Sequence, residues 1–167
     1  EVAKAIEEHY MPISREGDIP ESDIGSIVSI ADKIDTISSC FISGLIPTGT
    51  SDPYALRRQA IGIINIVFEK NFHLSLKELF QASLKSIINQ TDNKYKDSLE
   101  ETLDVIMSFM TERFRNIMIT EGFAQDVVDA VVSVEFNDIL DAKRKILALS
   151  EFRKAKDFES LGTAFKR

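Results

Sequence analysis

The stretch ADKIDTISSCFISGLIPTGTSDPYALRRQAIGI, from Ala31 to Ile63, decides the fold class. Apolar residues at 24, 27, 28, 31, 34, 37, 41 and 42 recur with a helical period, so a helix is predicted over about Ser22–Ser43. Gly44 stops it, and Leu45–Ser51 reads as a tight irregular loop. Asp52 then reads as an N-cap with Pro53 at the first helical position, where its missing N–H costs nothing, and the second helix runs to about Asn71. On the first helix Val28, Asp32, Asp35 and Ser39 form a 4-3-4 ladder along one strip. Carboxylates beside an apolar face need partners, because an unpaired desolvated charge is expensive. Arg57 heads the apolar strip Ile61, Ile64, Phe68, whereas Arg58 heads the polar strip Gly62, Asn65, Glu69. The expectation is a helical hairpin in which Arg57 reaches inward to Asp32 or Asp35 and Arg58 reaches solvent or a ligand.

The same reading extends in both directions. Residues 1–10 read as the end of a helix, followed by a loop punctuated by Pro12, Gly17 and Pro20. Ser75-Leu-Lys-Glu78 and Ser98-Leu-Glu-Glu101 are capping-box patterns, opening helices to about Asn89 and Glu121, the latter closed by Gly122. Further helices fit about 124–134, 138–150 and 156–166. Gln90–Lys96 is the most polar stretch and the predicted boundary between packing units. No segment alternates as a strand would, so the class is all-α.

Composition narrows the function. The chain has 167 residues, 44% of them hydrophobic, and no apolar run approaches the roughly 18–20 residues that cross a bilayer. The N-terminus lacks the basic and apolar regions of a signal peptide, and its abrupt ends suggest a piece of a longer protein. Cys40 is alone, in an apolar stretch, which predicts a buried, reduced thiol in a cytoplasmic protein without internal disulfides. Net charge is −7, yet Lys143–Arg167 holds eight basic residues against Glu151, Asp157 and Glu159, a local +5 that leaves −12 on the rest. A basic end on an acidic body permits phosphate-backbone contact at that end, or is simply a solvated helix surface. Gly44 and Gly49 flank proline and threonine without the Lys-Ser/Thr of a phosphate loop, and Cys40 has no histidine nearby to activate it. Phe109, Phe114, Phe123, Phe136 and Phe152 are spaced as core residues rather than as a base-stacking platform.

The motifs carry a resemblance. Ala31-Asp32-Lys33-Ile34-Asp35-Thr36, the Gly44–Gly49 loop and Asp52-Pro53-Tyr54-Ala55-Leu56-Arg57-Arg58 together closely resemble the beta-subunit family of bacterial-type heterotetrameric glycyl-tRNA synthetases. Phe109–Val131, FMTERFRNIMITEGFAQDVVDAV, is similar to the same family, and DAKRKILALSEFRK more loosely so. The resemblance implies ATP-dependent glycylation of tRNA(Gly), with the class II site and its ATP and Mg on an alpha subunit and tRNA binding on beta. It implies that residues 1–92 end an HD-like helical domain and that 93–167 hold a linker and the start of a helical anticodon-binding domain. It places no catalytic residue and no cofactor in this chain. The tRNA-binding candidates are Arg58, Lys143, Arg144, Arg153 and Lys154, with Lys145 and Lys156 as lesser members; Asp32, Asp35, Asp52 and Arg57 are structural. An HD metal site would need a His-Asp pair, which the chain lacks; its histidines are His9 and His73. Two other readings are open: a structural helical module that docks the alpha subunit, and a remnant of an HD-type phosphohydrolase.

Overall fold

The computed structural model describes residues 1–92, 94–134 and 136–154. They form α1 (Val2–Glu8), α2 (Asp23–Ile42), α3 (Leu56–Lys70), α4 (Leu76–Gln90), α5 (Leu99–Thr120), α6 (Gln125–Val132) and α7 (Ile139–Arg153), with a 3₁₀ turn at Lys96–Ser98. Among the described residues there is no β-strand, only an isolated bridge between Thr48 and Ser51, so the fold is all-α. The helix expected over 156–166 lies outside the described residues.

The α2–α3 hairpin forms as the loop chemistry requires. Gly44 adopts φ +78, its N–H bonds to Phe41 O and the N–H of Leu45 to Cys40 O, a Schellman closure of α2. The chain then doubles back, so that Lys70 at the end of α3 donates to Glu21 O at 2.6 Å and lies 3.5 Å from the Asp23 carboxylate at the start of α2. The beginning of α3 differs from the sequence reading. A turn over 52–55 intervenes, Ala55 takes the N-cap position in the left-handed region at φ 54, and Pro53 is outside the helix. Asp52 still satisfies free helix donors, reaching forward to the N–H groups of Leu56 (2.8 Å) and Arg57 (3.0 Å).

Helices α2 to α5 pack around one hydrophobic core, with α6 and α7 paired against its end. Ile37, Ile63, Ile64, Phe80, Leu84, Leu103, Met110, Phe114 and Ile146 are completely buried. Ile88 and Leu103, on either side of the polar stretch 90–96, are buried in the same core, and Tyr95 and Leu99 pack partly buried against it. Of the phenylalanines read as core, Phe114 and Phe136 are buried and Phe109 and Phe123 pack partly buried against the core, but Phe152 is 48% exposed. Ser75 caps α4 by accepting from the N–H of Glu78, whereas Ser98 makes no cap bond because the 3₁₀ turn leads the chain into α5. Arg115 on α5 binds Asp129 on α6 through two bonds, of 2.6 and 3.3 Å.

One face of α2 departs from its apolar pattern. Ile24, Ile27 and Val28 are exposed, while Ser26, Ser29 and Lys33 are buried. The loop between α1 and α2 lies on the serine face and is bonded to it: Ser26 Oγ donates to Ser22 O and Pro20 O, and Ser29 Oγ donates to Met11 O. Buried hydroxyls are tolerated there because each finds a carbonyl. At the head of α2 the buried Glu8 carboxylate accepts from the N–H groups of Glu21 and Ser22 and from the Ser22 hydroxyl, which itself caps Gly25 N. A Cβ on Gly25 would come within 2.1 Å of Glu8 Oε2, so only glycine lets the carboxylate sit against the helix. The Ser22 hydroxyl above all, with the two backbone donors, holds the Glu8 pKa below its usual value. The depressed pKa means that Glu8 contributes stability above the ordinary glutamate range near ~4.3, lost as pH falls through the folded value. The expected outcome is that Glu8→Gln flattens the acid limb of unfolding between about pH 5 and 3; an unchanged limb would show that the junction contributes nothing.

Candidate nucleic-acid interface

The hairpin aspartates and Arg57 do not meet. Asp32 and Asp35 are both exposed, and among the described residues no ion pair links either to Arg57. Asp35 accepts from Ser83 Oγ on α4 at 3.3 Å. Asp32 lies on the other side of the strip, in a hollow shared with Tyr10, Thr36, Arg58 and Gln59. The reason is rotational: α2 faces the core with Ile30, Ile34, Ile37 and Phe41 and lays its serine strip under the α1–α2 loop, so the aspartate strip is turned outward. Arg58 is exposed at the mouth of this hollow, in keeping with its polar strip, and makes no ion pair among the described residues. Arg57 is half-buried and turned toward α5, beside Arg113.

The inward lysine of the motif is a residue that the sequence reading does not single out. Lys33 is 4% exposed, and its Nζ donates to Met11 O (2.8 Å), His9 O (3.3 Å) and Ser29 Oγ (2.8 Å). Its stem lies on α3 at Gly62, where a Cβ would stand 3.1 Å from Lys33 Cε and 3.3 Å from Pro12 Cγ. Burial pushes the Lys33 pKa down to about 8, with the Asp32 charge opposing. The signal lies in Ser22, Ser26, Ser29 and Lys33, a second 4-3-4 ladder on the same helix.

The basic cluster on α7 is largely neutralised within the chain. Lys143 lies 3.1 Å from the Glu121 carboxylate and 4.0 Å above the Phe68 ring, half-buried, so it ties α7 to α5 and α3. Arg153 bonds Asp126 on α6 at 2.7 Å, Lys154 bonds Glu151 at 2.6 Å and Lys145 bonds Asp141 at 2.6 Å. Arg144 is exposed and makes no ion pair among the described residues. Lys156 lies outside them. Ion pairs as exposed as those of Arg153 and Lys154 hold little energy, so either cation can be recruited by a stronger polyanion.

Two reactive side chains among the described residues have defined surroundings. The Cys40 thiol is half-buried, and burial first and the Asp52 charge second raise its pKa, which keeps it a weak nucleophile. His73 Nδ1 lies 2.8 Å from Asp138, the residue that caps α7 through Leu140 N and Asp141 N. Burial alone would raise the Asp138 pKa; the N–H of Asp141 and the His73 ring outweigh it and lower it. Among the described residues no three His, Cys, Asp or Glu side chains converge as a metal site requires. No helix there is long and apolar enough to cross a membrane.

Comparison with known proteins gives a consistent result. A sequence model of the glycyl-tRNA synthetase beta subunit matches residues 1–133, from α1 through the end of α6. The chain is 51% identical over 166 residues to the glycine–tRNA ligase beta subunit of Geotalea uraniireducens (strain Rf4), a match that covers 99% of this chain and 23% of that protein. It is 48% identical over 167 residues to its counterpart in Geotalea daltonii, covering 100% and 24%, and 46% identical over 166 residues to that of Syntrophotalea carbinolica, covering 99% and 24%. The chain thus spans about a quarter of the length of these curated relatives.

Proposed function

This chain belongs to the glycyl-tRNA synthetase beta subunit family, and we propose that it gives the ligase a tRNA-facing helical surface and takes no part in bond making. The observation that carries this is that Arg58 and Arg144 are exposed and have no carboxylate partner among the described residues, on a chain of net charge −7. An acidic protein that leaves guanidinium groups uncompensated keeps them for an outside anion, and the anionic substrate of a tRNA ligase is tRNA. In this reading tRNA(Gly) lies along α7 and the first turn of α3. Glycine, ATP and Mg are handled on a partner alpha subunit of the heterotetramer. Residues 1–92 close an HD-like helical domain and 93–167 lead into an anticodon-binding domain. The exposed apolar residues Val2, Ile6, Ile24 and Val28 favour a second role, docking the alpha subunit or other parts of beta.

The test uses the intact alpha–beta enzyme. Arg58, Arg144, Arg153 and Lys154 are replaced together by alanine, with Lys143 left in place because it holds helices together. Affinity for tRNA(Gly) is followed against salt, separately from aminoacylation. The expected result is weaker binding and a salt slope lower by roughly 0.7–0.9 for each phosphate no longer neutralised. Unchanged affinity with an unchanged slope would leave the surface as scaffold.

A further inference from the structure

Three arginines from three separate elements face one hollow. Arg15 comes from the loop after α1, Arg57 from the first turn of α3 and Arg113 from α5, around an open cavity of about 540 Å³ floored by Ile61 and Ile117. The backbone of the first two and the guanidinium of the third are held by their surroundings. Asn65 Nδ2 donates to Arg15 O at 3.0 Å, which pins the loop to α3. The Asp52 carboxylate accepts the N–H of Arg57. The Arg113 guanidinium lies 4.9 Å from the Phe109 ring centroid, a rigid flat support. None of the three makes an ion pair among the described residues, and no carboxylate among them lines the hollow. The nearest acids are engaged elsewhere: Asp52 with the α3 N–H groups, and Glu112 with the amide of Asn116.

Arg113 supplies a second observation. Its Nε is buried and has no hydrogen-bond partner. A buried donor left without an acceptor is costly, and in a native structure it calls for an explanation. Burial, and then the neighbouring Arg57 charge, lower the Arg113 pKa. Asp52 and Glu112 offset this repulsion in part but do not line the hollow, so an anion entering it relieves the remainder. A phosphate diester fits, because its two unesterified oxygens accept forked donor pairs from more than one guanidinium at once.

We propose that Arg15, Arg57 and Arg113 hold one phosphodiester group of an RNA backbone in this hollow. The proposal rests on the tRNA-facing reading above and adds to it a defined phosphate site on the α3–α5 face, separate from the α7 surface. RNA is favoured over an acidic protein segment because the relatives are tRNA ligase subunits, whose substrate presents a phosphate at every nucleotide.

The experiment compares wild-type alpha–beta enzyme, single Arg15→Ala, Arg57→Met and Arg113→Met variants, the triple variant, and the four-residue variant described above. The expected result is a roughly tenfold loss of tRNA affinity for each arginine that touches the phosphate. The salt slope falls by about 0.7–0.9 for each phosphate left without its arginine. Thermal unfolding of the free enzyme is unchanged or slightly later for Arg15→Ala and Arg57→Met, since neither removes an ion pair among the described residues, whereas Arg113→Met also loses its stacking on Phe109. Inorganic phosphate, used alone as a probe, raises the unfolding midpoint of the wild type more than that of the triple variant. If the four-residue variant loses tRNA affinity and the arginine triple does not, the hollow is not an RNA site and the broader reading stands. If neither set changes tRNA binding, both fail. If the triple loses alpha–beta assembly but keeps tRNA affinity, the hollow serves a protein acid and the proposal is overturned. If phosphate binds with no change in tRNA affinity, it takes a free anion only and the proposal is equally overturned.

Discussion

Replacing Phe114 with alanine is expected to lower the unfolding free energy by about 3–5 kcal/mol, read as an earlier denaturant midpoint at an unchanged slope. Phe114 is completely buried on α5. Its ring centroid lies 6.3 Å from that of Phe68 on α3 and 4.9 Å from that of Phe136 in the segment leading to α7. Removing the ring therefore opens a cavity where α3, α5 and the α6–α7 pair meet. Phe136 and Phe68 cannot both move in to fill it, because Phe68 also carries Lys143 above its face. Phe114→Leu retains most of the volume and is expected to cost less than about 1.5 kcal/mol. Equal midpoints for wild type and Phe114→Ala would mean that the α6–α7 pair does not depend on this packing.

The second large effect is expected at Lys33. Lys33→Met keeps the stem over Gly62 and removes the ammonium, so His9 O loses its lysine donor while Met11 O keeps Ser29. Loss of charged hydrogen bonds, offset by relief of the desolvated charge, gives an expected destabilisation of about 1–3 kcal/mol. The pH dependence has a definite sign. The folded pKa is about 8, below the ordinary lysine value of 10.5, so below pH 8 both states hold the proton and this group contributes no slope. Above it the unfolded chain binds the proton more tightly, and stability from Lys33 rises with pH until the unfolded value is passed. The stability gap between wild type and Lys33→Met should therefore widen from about pH 7.5 towards pH 10, other titrations cancelling in the difference. A gap that stays constant would place the ammonium in solvent rather than against the loop carbonyls. Because these bonds anchor the loop that carries Arg15, the same variant also tests whether the arginine hollow depends on a fixed loop.

Much of this protein is legible from residue order. Helical periodicity, Gly44 and Gly122 as stops and Ser75 as a cap place most helix ends within a residue or two, because propensity, capping and turn chemistry act over a few neighbouring positions. The family too is written in short strings, since Ala31–Thr36 and Asp52–Arg58 carry it without any knowledge of tertiary packing. What local order could not decide is rotation. Helix α2 carries two polar strips of identical 4-3-4 spacing, one through Asp32 and Asp35 and one through Ser26, Ser29 and Lys33. Periodicity marks both and prefers neither. The choice falls to the α1–α2 loop, whose carbonyls at His9, Met11 and Pro20 offer acceptors to hydroxyl and ammonium donors and none to carboxylates. With α2 turned that way, Ile24, Ile27 and Val28 face outward against their hydropathy, and Arg57 meets α5 instead of an aspartate. The α7 cluster shows the same limit: Lys143 is a strut and Arg144 points to solvent because Glu121 and Phe68, more than twenty residues upstream, stand on one side of the helix only. Such partners are set by which elements pack together, a property of the whole chain that no single segment contains.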